Sequence, residues 1–206
     1  RLYLQAVDHK VEGEVKPGDI VKAGFTLSNS EVGAGAVSVE ETIWRLVCAN
    51  GLITANAMRR HHVGRKLGNG DEVTADFYKS DTQVADAKAF LLKLRDTLEH
   101  QLNPGAFGER LNTMREAAGR PITRNLTEVV EITAKKLELS QEEGNSILQH
   151  LAQGGDFTQW GLTNAITRFA QDVEADRAYE LEKAAAGIVE MTTEDWGRTY
   201  QMKAAA

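Results

Sequence analysis

The chain of 206 residues has a single cysteine, Cys48. That excludes an internal disulfide framework and fits a reducing compartment. No apolar run approaches the ~20 residues needed to cross a bilayer, which excludes a helical membrane span. No basic segment followed by an apolar one marks a leader peptide near the start. The chain opens on Arg1 rather than Met, so the expectation is that its natural N-terminus lies upstream, with room for a processed leader. There is no internal repeat and no low-complexity segment. What remains is ordinary for a soluble globular protein: 42% hydrophobic and 26% charged residues, in one domain or two small ones.

One absence is local. From Thr42 to Gly70 there is no Asp or Glu, while Arg45, Arg59, Arg60, Arg65 and Lys66 all fall there. These five cations, set against a whole-chain net charge of −6, leave −11 for the rest. A cationic strip on an acidic body can focus a positive field despite the negative total. Guanidinium groups match phosphate oxygens through paired N–H donors. The competing expectation is internal neutralisation by the flanking acids Glu40, Glu41, Asp71 and Glu72.

In chain order, residues 1–7 alternate Leu2, Leu4 and Ala6 against Tyr3 and Val7, which reads as a strand. Val11–Lys16 is a weaker strand, and Lys16-Pro17-Gly18-Asp19 is a turn. Ile20–Ser28 is a strand with Val21, Ala23, Phe25 and Leu27 on one side. A small-residue loop with Gly33 and Gly35 follows. Val37–Ala49 reads as a central strand, with a helix over 39–47 as its rival. Asn50-Gly51 is the strongest short hairpin signal, because a type I′ turn needs φ > 0 at both positions. Leu52–Thr54 starts the returning strand and Met58–Val63 extends it, up to Gly68-Asn69-Gly70-Asp71.

After residue 80 the period becomes helical. Asp81 caps a helix carrying Val84, Ala87, Leu91, Leu94 and Leu98, up to Asn103-Pro104-Gly105. Further helices are expected over 106–118 and 127–137, then from a capping box at Ser140 to Gly154-Gly155, then over 158–174 and 176–191, with a last one starting at Thr192. Ala204-Ala205-Ala206 is left out of the fold reading. The fold class is α+β: a β-rich, antiparallel N-terminal half over 1–79, then an α-helical half over 80–203, packed as one unit.

The stretch GDIVKAGFTLSNSEVGAGAVSVEETIWRLVCANGL resembles the core motif of the DUF932 family of phage- and plasmid-like proteins. It carries Gly18-Asp19, Asn29-Ser30-Glu31-Val32-Gly33 and Arg45-Leu46-Val47-Cys48-Ala49-Asn50-Gly51, followed by the basic, His-containing stretch Arg59 to His62. Near the other end, Trp160, Asn164, Ala165 and Thr167 resemble the family's second motif. The resemblance implies a mobile-element setting in a bacterial cytoplasm, and nucleic-acid transactions as the business. It carries over no catalytic list. A β-rich half followed by helices also resembles Rad52-like single-strand annealing proteins, in architecture only.

The expected interface is therefore Arg45, Arg59, Arg60, Arg65 and Lys66 on phosphates, assisted by His61 and His62. No base-reading motif is present, so contacts go to the backbone with little sequence specificity. A homo-oligomer would line several strips into one groove. Two alternatives stand beside this reading: a protein–protein module that blocks a host defence through a host or phage partner, and a metal-dependent nuclease. Neither a cofactor nor a metal is called for. Cys48, His61 and His62 lack an evident fourth ligand for zinc, and a Cys48–His61 nucleophilic pair would need the hairpin to fold back. Asp19, Asn29 and Glu31 are a conceivable Mg²⁺ set that turn formation explains more simply. Trp44, Trp160 and Phe169 read as core, and Asn164 as the donor of an inter-helix hydrogen bond.

Overall fold

The computed structural model describes residues 1–29, 37–47, 50–60 and 79–201; of 55–57, 59, 60 and 83 it describes the backbone alone. Four antiparallel strands come first: β1 (Leu2–Glu14), β2 (Ile20–Asn29), β3 (Val37–Arg45) and β4 (Asn50–Arg60). They form a meander in the order β1-β2-β3-β4. The N-terminal strand and the weaker candidate after it are one strand, with an irregularity in its pairing between Val7 and Glu12. The β1–β2 turn forms at Pro17-Gly18, with Gly18 at φ +81° and Asp19 N–H donating to Lys16 C=O at 2.8 Å. Only glycine takes that conformation without strain.

The β3–β4 connection differs from expectation. Arg45 pairs with Asn50 and Trp44 with Gly51, so the connection is 46–49 and Asn50-Gly51 opens β4. Neither residue has positive φ. Tertiary contacts override the local turn signal here. Asn50 is buried and donates through Nδ2 to Thr167 Oγ1. A Cβ on Gly51 would lie 3.3 Å from Glu182 Oε1 and 3.3 Å from Thr42 Cγ2, a tight fit. The rival helix over 39–47 does not form.

Among the described residues seven α-helices follow: α1 (Ser80–Gln101), α2 (Pro104–Ala118), α3 (Leu126–Lys136), α4 (Gln141–Gly154), α5 (Gln159–Phe169), α6 (Ala175–Val189) and α7 (Thr193–Tyr200). Most of their starts are written in local chemistry; α1 and α6 begin after Lys79 and Glu174 with no side-chain cap, and Asp81, expected to cap α1, lies inside its first turn. Asn103 caps α2 ahead of Pro104, and Ser140 and Glu143 form the reciprocal capping box of α4. Gly155 ends α4 in the left-handed region, at φ +63°. Asn164 bonds within its own helix, donating to Trp160 C=O at 2.9 Å, and not between helices.

β2 and β3 pair in unbroken register from Val21↔Arg45 to Ser28↔Ser38. Alternate residues therefore share a face. One face carries Val21, Ala23 and Ile43, which join Leu52, Phe107 and Leu111 in the main core. The other carries Lys22, Gly24, Thr26, Ser28, Ser38, Glu40, Thr42 and Trp44. Trp44 is half-buried there and lies outside the core cluster, unlike Trp160 and Phe169.

That polar face is covered by α6, which has two stripes at helical spacing. Leu181, Ala185 and Ile188 enter the core. Asp176, Tyr179, Glu182 and Lys183 meet the sheet. Tyr3 donates to Asp176 at 2.6 Å, Gln5 Nε2 to Glu182 Oε2 at 3.2 Å, and Lys183 Nζ to Glu40 Oε1 at 2.9 Å. Buried hydroxyl pairs close the face, Thr26 with Thr42 and Ser28 with Ser38, both at 2.7 Å.

Candidate nucleic-acid interface

The cationic span begins at the end of β3 with Arg45. Its Nε donates to Asp19 Oδ1 at 2.6 Å and its Nη2 to Asp19 Oδ2 at 3.1 Å. Asp19 is 3% exposed, and its Oδ2 also accepts Trp160 Nε1–H at 2.8 Å. A two-pronged guanidinium–carboxylate pair at a buried site is committed geometry. Arg45, expected among the phosphate contacts, is thus a structural cation that ties the β1–β2 turn to β3, and it is not part of an open strip.

The same placement undoes the carboxylate set considered for Mg²⁺. Asp19 precedes β2 and Asn29 ends it. At ~3.3 Å per residue the two stand about 30 Å apart, and Asp19 is already occupied. Glu31 lies outside the described residues. Among the described residues, no three His, Cys, Asp or Glu side chains are grouped to hold a metal ion.

Glu40 and Glu41, the acids flanking the span on its N-terminal side, point to opposite faces and are both fully buried. Glu40 is paired with Lys183 of α6. Glu41 is in an ion pair with Arg110 Nε of α2. Burial pushes the Glu41 carboxyl above its ordinary range, and Arg110 pulls it back. Neither acid is paired with Arg45. Their partners lie 143 residues away for Glu40 and on a separate helix for Glu41, so residue spacing carries no signal for either pair.

Further along, β4 carries Arg59 opposite Ser38 and Arg60 opposite Val37. Among the described residues no strand pairs with the other side of β4. Consecutive strand residues alternate in direction, so the two arginine positions belong to opposite faces of an edge. His61, His62, Arg65, Lys66 and Cys48 lie outside the described residues, as do Asp71 and Glu72.

Two polar features escaped the sequence reading. Glu182 sits against Gly51 and accepts from Gln5, and burial raises its carboxyl to about 7. An open cavity of about 540 Å³ at the α1–α2 junction is lined by His100, Asn103, Ala106, Glu109, Arg110 and Thr113.

A family model for a domain of unknown function, DUF932, matches residues 1–188. The chain belongs to the DUF932 family. No curated protein and no solved structure matches it. The two DUF932-like motifs at opposite ends of the sequence meet in space: Asp19 accepts from both Arg45 and Trp160, and Asn50 reaches Thr167. The motif residues so joined clamp one end of the sheet onto α5. Among the described residues, no helix of this DUF932 chain is long and apolar enough to cross a membrane.

Proposed function

We propose that this DUF932 protein binds nucleic acid through the phosphate backbone. The cationic segment that starts at Arg59 and Arg60 on the β4 edge, and continues through His61, His62, Arg65 and Lys66, makes the contacts. The setting is a phage or plasmid element in a bacterial cytoplasm, and the work is single-strand binding or annealing in replication or recombination.

One observation carries the reading. Glu40 and Glu41, two of the four acids available to neutralise the segment, are turned inward and paired with Lys183 and Arg110. The nearest anions on that side are therefore withdrawn from the basic segment. Arg45 drops out of the interface, which leaves the positive charge concentrated after the β4 edge. Backbone contacts of this kind release counterions, so affinity falls steeply with salt.

The test is a fluorescence-polarisation titration of single- and double-stranded oligonucleotides at two salt concentrations. Replacing Arg59, Arg60 and Arg65 by Ala is expected to weaken binding sharply and to flatten its salt dependence. Unchanged affinity in that variant rejects the assignment. Absent binding in the unmodified protein, with capture of a specific host or phage protein, favours the interaction-module alternative.

A further inference from the structure

Helix α1 does not behave like the other helices. Every described side chain from Ser80 to Ala89 is exposed. These ten residues span ~15 Å of helix. An isolated helix this short is marginal in water, and tertiary packing normally holds such a segment in place. Yet its apolar residues are not scattered. Val84, Ala87, Leu91, Leu94 and Leu98 alternate spacings of three and four, the seam of a two-stranded coiled coil. Val84 is 65% exposed and Leu91 60%, while Leu94 and Leu98 are half-buried where the helix reaches the body.

We propose that this seam is a self-association surface, filled by the α1 of a second copy running antiparallel. The pairing that brings these residues into layers sets Val84 against the second copy's Leu94 and Ala87 against its Leu91, each contact occurring twice. Charge then selects the direction. Asp81 and Arg95 lie on the same flank of the seam, two heptads apart, with Lys88 midway. An antiparallel crossing centred near Lys88 puts each Asp81 beside the other copy's Arg95. Among the described residues, Arg95 is held on its own chain by exposed pairs with Asp96 and Glu99, which are weak and easily exchanged. The two Lys88 ammonium groups near the centre remain in water, where their repulsion is screened. Because the burial of the seam rises towards its C-terminal end, at Leu94 and Leu98, an antiparallel crossing keeps the two bodies at opposite ends of the pair. A parallel crossing would bring them to the same end and put Asp81 and Arg95 of the two copies on opposite sides of the seam, out of reach of each other. The helix dipoles also oppose in the antiparallel arrangement.

The proposal is independent of nucleic-acid binding and is tested without it. Sedimentation velocity of the unmodified protein over a hundredfold concentration range is expected to show a monomer passing into a dimer. Val84→Glu with Leu91→Glu, both at exposed positions, is expected to remain monomeric throughout with an unchanged far-UV spectrum. Asp81→Arg alone and Arg95→Asp alone are each expected to weaken the dimer at least tenfold, and the two together to restore it. An unmodified protein that stays monomeric over the whole range overturns the proposal and assigns the seam to its own chain or to another partner. A dimer that survives the two glutamates overturns it as well. Failure of the double charge reversal to restore association rejects the antiparallel pairing.

Discussion

The carboxylate of Asp19 accepts the indole N–H of Trp160 at 2.8 Å, across 141 residues of chain. Its two oxygens also hold the guanidinium of Arg45. A single buried anion thus joins a turn, a strand end and a helix. The two segments by which the sequence resembles DUF932 are halves of one clamp.

Asp19→Ala takes the buried carboxylate away from both the half-buried Arg45 cation and the Trp160 N–H. Breaking a buried pair from one side costs about 3–5 kcal/mol. Urea unfolding is expected to show a loss of that size. Asp19→Ala combined with Arg45→Met is expected to cost less than the sum of the single changes, because the second change removes the stranded charge. Additive losses would contradict the coupling.

Asn50 separates two structural accounts of the β3–β4 connection. In an Asn-Gly turn, Asn50→Asp is nearly neutral, since Asp-Gly serves the same turn. In the observed strand, the Asn50 amide donates to Thr167 from a buried position. A carboxylate in its place could not donate, and its charge would be buried. Asn50→Asp is therefore expected to destabilise the protein by about 1–3 kcal/mol at neutral pH, read from denaturant midpoints.

Glu182 gives the fold a pH signature. Its carboxyl titrates at about 7 in the folded protein against 4.5 for the ordinary group. The folded state therefore holds the proton more tightly than the unfolded chain. This group's contribution to stability is greatest below about 4.5, falls as pH rises towards 7, and is flat above. The shift is worth about 3 kcal/mol. Glu182→Gln keeps an acceptor for Gln5 and removes the titration. It is expected to match the unmodified protein near pH 4.5 and to exceed it in stability by up to about 3 kcal/mol at pH 8. Thermal melts of the two across this range check it; a difference that does not change with pH would contradict it.

Much of the fold was legible because short-range chemistry and long-range packing agree in it. The alternation of β2, the Pro17-Gly18 turn, the break between α1 and α2 at Asn103-Pro104, the Ser140 capping box and the Gly155 stop each mean in the structure what they mean in a peptide. Asn50-Gly51 misled because its local preference for a turn was overruled by Thr167 and Glu182, which no window around residue 50 contains. Asn164 is the reverse case: an expected long-range bond proved to be a local one. The burial of Glu40 and Glu41 was not legible, because adjacent carboxylates on a strand need separate cations on separate faces. Lys183 and Arg110 are marked as those cations by nothing in the sequence. The basic segment after Arg60 was read from charge alone and rests on experiment.

The decisive measurement is the slope of the logarithm of the observed association constant against the logarithm of salt concentration, for a single-stranded oligonucleotide. At roughly 0.7 per neutralised phosphate, Arg59→Ala, Arg60→Ala and Arg65→Ala together should reduce the slope by about 2. Arg45→Met, whose cation faces Asp19, should leave it unchanged in protein that remains folded. Equal slopes for the unmodified protein and the triple variant, or a loss on removal of Arg45 alone, would contradict a phosphate-binding segment beginning at the β4 edge.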